Sequence, residues 1–173
     1  MRNCIIGLIG ILFVQGINAN GQEERLIVRK HKSDASQFEC EIKHAKFTSP
    51  KGWQPNQSGG KTYAILTRSD ETYPKVSQMI SIDIGKATEP TTQKLAESFA
   101  KKFKGQVNED LHNVDGEKAC RVTIPADKKS VRPVDCIVLV KDDIAFLFIG
   151  ASKEAGDISK SIDELVKEWK WKK

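Results

Sequence analysis

The stretch "IAFLFIGAS", residues 144–152, is apolar at nearly every position. A strand of this composition has no polar face to turn toward water. It therefore predicts a central strand covered on both faces, and hence a sheet with a layer above it and a layer below it. Its neighbours in the chain supply pairing partners. "EKACRVTI" and "PVDCIVLVK" read as two strands, and a tight "DD" turn leads from the second into 144–152. Upstream, "FECEIKHAKFTSPKGW" alternates Phe38, Cys40 and Ile42 with Glu39, Glu41 and Lys43, the period-two mark of a half-buried strand. "QPNQSGG" reads as a loop, "KTYAILTRS" and "VSQMISIDIG" as two further strands, and "VNEDLHNV" as a weaker one entering a turn at Asp115 and Gly116.

Two segments change period. In "EPTTQKLAESFAKKFKG", Leu95, Ala96, Phe99, Ala100 and Phe103 recur at helical spacing. Thr91 or Thr92 is placed to cap the start, lysines crowd the last turn, and Gly105 is placed to close it. In "GDISKSIDELVKEWKWKK", Ile158, Ile162, Leu165, Val166 and Trp169 share one helical face, with Asp157 as N-cap. The order of strands, helix, strands, helix predicts an α+β fold: an antiparallel sheet of about six to seven strands sandwiched with two amphipathic helices.

The first 19 residues have a different character. Arg2 precedes an unbroken apolar run over 5–14, and a small residue, Ala19, ends the segment. This is the pattern of a cleaved secretory signal peptide, and the run is too short to span a bilayer, which takes about 20 residues. Export is expected, to the periplasm or the extracellular space in a bacterium and through the secretory pathway in a eukaryote. Residues 20–37 are polar apart from "LIV" and read as a tether or a short strand, leaving 38–173 as a single α+β domain. Of the 173 residues, 39% are hydrophobic and 29% charged, which excludes global disorder and a multi-span membrane protein. The net charge of +5 is interleaved with acids, as in "IDELVKEWKWKK", so no nucleic-acid partner is expected.

The strand ending in "FTSPKGW", the helix "LAESFAKKF", the turn and strand "VDGEKACRV", the paired long strands and the closing "SIDELVKEWKW" together resemble the PsbP-like domains over residues 38–171. That family shares its fold with the nuclear-import factors that bind the Ran GTPase. The resemblance implies a non-enzymatic accessory or binding protein. It carries over no functional residue, because no docking or Ran-binding signature stands in this chain.

Cys120 and Cys136 flank the turn "PADKKSVRP". Positions opposed across a hairpin have a constant sum, and this pair centres the turn on Lys128, which fits its turn-forming composition. Opposed inward-facing thiols in an exported protein leave two states open, a Cys120–Cys136 disulfide and two buried free thiols. Cys40 beside Phe38 and Ile42 reads as a buried thiol. A Cys40–His44 dyad is disfavoured, because residues four apart on a strand lie about 13 Å from each other.

"SGGKT" at 58–62 lacks the first glycine of a phosphate-binding loop and precedes a strand, so no nucleotide is expected. His31, His44 and His112 are scattered, and Asp142 with Asp143 reads as turn chemistry, so neither metal nor cofactor is expected. Trp169 and Trp171 among lysines would make a membrane-surface element only if Trp171 were exposed. The sequence thus favours an exported accessory protein acting on an unidentified protein partner. A hydrolase with a site assembled by the fold and a carrier of lipid or another small ligand are the alternatives.

Overall fold

Residues 144–152 take the place their composition demands. In a computed structural model they form the fourth of seven strands in an antiparallel sheet, with three strands on either side. The structure describes residues 26–56, 62–70, 73–126, 133–152 and 155–173. The signal segment, most of "SGGKT" and the turn around Lys128 lie outside the described residues.

In chain order the elements are β1 (Ile27–Lys30), β2 (Phe38–Glu41), β3 (Ala45–Thr48), β4 (Gln54–Asn56), β5 (Thr62–Asp70) and β6 (Tyr73–Lys86), then helix α1 (Thr92–Phe103). Next come β7 (Gln106–Val114), β8 (Glu117–Ile124), β9 (Val134–Lys141) and β10 (Ile144–Ser152), then α2 (Ala155–Lys167) and β11 (Lys170–Trp171). The large sheet has the order β4-β5-β6-β10-β9-β8-β7, and a second sheet of four short strands has the order β1-β2-β3-β11.

Strand alternation sorts the large sheet into two faces. Cys120, Val122, Cys136, Val138, Leu147 and Ile149 pack with Leu95, Ala96, Phe99 and Ala100 of α1. On the other face, Leu66, Ile80, Ile82, Leu139, Phe146 and Phe148 pack against Ile158, Ile162 and Leu165 of α2, and against Cys40, Ile42 and Phe47 of the small sheet. The two helices thus lie on opposite faces of the large sheet. α2 approaches β10 closely: a Cβ on Gly150 would collide with Ile158 and fall 2.7 Å from Ile162 Cδ1.

Turn chemistry accounts for the hairpins. Asp115 and Gly116 (φ 48° and 93°) join β7 to β8, and Asp142 and Asp143 (φ 51° and 61°) join β9 to β10. Both are two-residue turns with positive φ at both positions, whose twist matches that of the flanking strands. Asn113 Oδ1 further accepts from the Gly116 amide at 2.8 Å.

The structure departs from the sequence reading in four places. "FECEIKHAKFTSP" is two strands and not one: Ile42 N–H donates to Ala45 O across a tight turn. The apolar residues switch there from even to odd positions, from Phe38, Cys40 and Ile42 to Ala45 and Phe47, because the chain reverses. Of the two readings open for "LIV", the short strand is the one observed: β1 pairs with β2 from Ile27 opposite Glu41 to Lys30 opposite Phe38. Gln54–Asn56, read as loop, pairs with β5 as an edge strand.

The third and fourth departures concern the helices. Thr91 caps α1, accepting from Lys94 N–H at 3.3 Å, but Lys104 and not Gly105 takes the left-handed position at its end (φ 54°). Gly105 is needed for a different reason, since a Cβ there would stand 2.7 Å from the Thr123 carbonyl oxygen. Helix α2 begins at Ala155, so Asp157 lies in its first turn and does not cap it, and the helix ends at Lys167. Trp169 follows the helix and is fully buried, stacked on Phe47 at 5.2 Å and edge-on to Phe148 at 4.8 Å. The chain then returns as β11 along β3.

Because the space above Gly150 is filled by α2, Gly150→Ala overpacks the interface. It is expected to destabilise the protein by roughly 1–3 kcal/mol, read as a lower urea midpoint with an unchanged m-value.

Candidate functional site

The hairpin that carries the two cysteines has a register shifted by two residues from the expected one. Cys120 lies opposite Val138, and Cys136 lies opposite Val122. The thiols share the α1 face but are diagonal neighbours, and diagonal Cα atoms lie about 7–8 Å apart, beyond the usual disulfide span. The paired positions centre on position 129, one residue beyond the expected centre. Cys40, Cys120 and Cys136 are free and buried.

Burial pushes all three thiols up, Cys40 to about 12 and Cys136 well above its ordinary value, where Asp135 and Asp83 add to the effect. For Cys120, burial acts together with Glu97. A thiol that resists ionisation is a poor nucleophile and a poor metal ligand. His44 sits beyond the end of β2 with its ring edge-on to Phe146 at 5.7 Å.

Two carboxylates that no local motif marks are buried, Asp135 and Asp83. Asp135, on β9, lies diagonally across from Arg121 on β8 in the ladder, with Arg121 Nε 3.1 Å from Asp135 Oδ1. Arg121 Nη2 also donates to Asp163 Oδ1 at 2.6 Å and to the Ser159 carbonyl at 3.3 Å, both on α2. This group ties α2 to the sheet. Burial raises the Asp135 carboxyl, while Arg121 and a hydrogen bond from Ser159 hold it down. The sequence signal was a charged residue at an inward position of each of two apolar strands.

Asp83 on β6 stands on the α1 face opposite Thr62, whose hydroxyl bonds to it. It is 6% exposed, and burial raises its carboxyl to about 6. Among the described residues no group of three or more His, Cys, Asp or Glu side chains is placed to hold a metal ion, and "SGGKT" leads directly into β5.

The solvent side of the small sheet is built from charge. Glu41 lies at its centre, 2.7 Å from Lys172 Nζ, 3.6 Å from Arg29 and 3.9 Å from Lys46. A hydrogen bond from Lys172 is the main reason that its carboxyl sits below the usual range. Arg29, Glu39, Glu41, Lys46, Thr48, Glu168 and Lys170 surround an open depression of about 260 Å³. At the rim lies β1, where Ile27 and Val28 are 43% and 39% exposed, the large apolar side chains left in water among the described residues.

The opposite rim is closed. Asp115 accepts from the Trp171 amide and from Lys170 Nζ, each at 2.9 Å, and the Trp171 indole N–H donates to the Val114 carbonyl at 3.1 Å. Trp171 is half-buried and edge-on to Phe146 at 4.9 Å, so its ring is committed to the fold. No helix among the described residues is long and apolar enough to cross a membrane.

No protein-family model matches the chain, and no curated protein does. Among solved structures it is similar to cyanobacterial PsbP (CyanoP) from Synechocystis sp. PCC 6803, with 15% identity, 91% of this chain and 99% of that chain covered, and a TM-score of 0.49. It is also similar to a protein from Bacteroides thetaiotaomicron VPI-5482, with 11% identity and a TM-score of 0.52. That match covers 75% of this chain and 45% of the other. At such identities a likeness is one of fold and names no activity.

Asp83 gives a pH-dependent prediction. Its folded carboxyl titrates near 6 against an ordinary 3.8, so the folded state holds its proton more tightly and loses stability as pH rises from about 4 to 6. Asp83→Asn is therefore expected to raise stability by roughly 2–3 kcal/mol at pH 8 and to change it little at pH 4, measured by denaturant unfolding at both. The thiols give a second: alkylation of unreduced, denatured protein is expected to label Cys40, Cys120 and Cys136 alike, and a mass showing Cys120 joined to Cys136 would contradict the observed register.

Proposed function

We propose that this is an exported, non-enzymatic accessory protein that works by protein–protein contact through its small sheet. The observation that carries this reading is the rim of that sheet, where exposed Ile27 stands beside Glu41 on the charged face and exposed Val28 turns to the other face of the same edge. Apolar side chains beside a polar field are the usual make-up of a contact surface between proteins. The resemblance over residues 38–171 supports the same class, and the signal-like leader supports export.

Amine cross-linking of the tagged protein in its native envelope fraction, followed by affinity purification, tests the reading. One reproducible partner is expected, with cross-links concentrated at Lys30, Lys46 and Lys170. Recovery of the protein alone, or cross-links centred on Lys94, Lys101 and Lys102 of α1, would overturn it.

A further inference from the structure

The sheet edges of this molecule are not equivalent. β4 is three residues long and contains Pro55, which has no amide hydrogen to offer. β7 carries a register shift between Asn108 and Leu111 that breaks its ladder. β11 has its Trp171 amide taken by Asp115. β1 has none of these devices, and among the described residues no strand pairs with its outer side.

The orientation of the β1 backbone follows from the ladder. His31 N–H donates to the Gln37 carbonyl, and the Phe38 carbonyl turns the other way to accept from Ser49 N–H. In an antiparallel pair such inward-pointing residues alternate, so Ile27 and Arg29 bond to β2, while the amides and carbonyls of Val28 and Lys30 point outward. An extended segment laid along β1 would find these groups waiting.

The side chains state what that segment is. One end of β1 is apolar, Ile27 and Val28, and the other is basic, Arg29 and Lys30, followed by Lys32. The acid nearest Arg29, Glu41, is shared with Lys46 and Lys172, and Lys30 and Lys32 make no ion pair among the described residues. A second copy of β1 laid antiparallel would bring the same basic pair without supplying any acid. An acidic pair followed by an apolar pair, running antiparallel, matches both ends.

We infer that β1 is a strand-addition site for an extended segment of a partner protein, two acidic residues followed by two apolar ones, paired antiparallel along the outward-facing backbone of Val28 and Lys30. The inference rests on the reading of the small sheet as a contact surface and names the chemistry of what it contacts.

The probe is a capped, fluorescein-labelled peptide, Thr-Glu-Glu-Val-Ile-Thr, titrated onto the whole mature protein by polarisation. Saturable binding is expected, at least tenfold tighter than that of the same peptide with Lys in place of both Glu. Val28→Pro removes an outward amide that β2 does not use, and is expected to weaken binding at least tenfold with thermal unfolding unchanged. Lys30→Glu leaves the backbone alone and is expected to reverse the preference between the two peptides. Unchanged binding by both variants, or equal binding of both peptides, would overturn the inference. So would a wild-type dimer in sedimentation that Val28→Pro dissolves, since the occupant would then be a second copy. If the peptide fails while envelope cross-linking still finds a partner at the small sheet, strand addition falls and the accessory reading stands.

Discussion

Burial of β10 on both faces is the constraint on which the rest of this structure depends. A strand with no polar face leaves no stable arrangement in which either side of the sheet meets water. On one side α1 lies over β8 and β9, and its Leu95 and Phe99 share one buried core with Leu147 and Ile149 of β10. On the other side α2 alone is too narrow for the faces of β5, β6 and β10 together, and the small sheet completes the cover with Phe47. Gly150 sits where α2 comes nearest, and the absence of a side chain there lets the helix settle onto the strand.

Trp169 and Trp171 convert that cover into one body. Trp169 links Phe47 of the small sheet with Phe148 of the large one, and Trp171 meets Phe146 while bonding through its indole to the β7–β8 hairpin. Two aromatic residues near the chain's end therefore join both sheets and a turn more than 50 residues earlier in sequence. With one rim of the small sheet anchored at Asp115, β1 at the opposite rim is the edge that no strand covers among the described residues.

The buried charges serve stability unequally. Arg121 is held by Asp135 and Asp163 in a group that spans sheet and helix, so its charge is compensated where it is desolvated. Asp83 has a hydroxyl and no cation among the causes that shift it, and its raised carboxyl is the physical record of that difference. Neither group includes an ionisable thiol, since burial pushes the cysteines away from the thiolate form.

Much of this architecture was legible in the residues taken alone. The apolar run 144–152 required two covering layers, the helical periods located α1 and α2, and the Asp-Gly and Asp-Asp pairs located two hairpins, because each of these depends on contacts between near neighbours or on one residue's own backbone preference. The switch of apolar parity between Ile42 and Ala45 is also present in the sequence, and it marks the point where the chain reverses. Other features were settled by residues far apart in the chain. The small sheet gains its fourth strand only where β11 meets β3, and the register of the cysteine hairpin is set by how β8 and β9 pair. The exposure of β1 depends on which strands pair elsewhere, and the burial of Asp83 on what folds over it. Local pattern determines which segments form strands and helices. Only the folded chain decides which edge remains open, since an edge is defined by the partner that is not there.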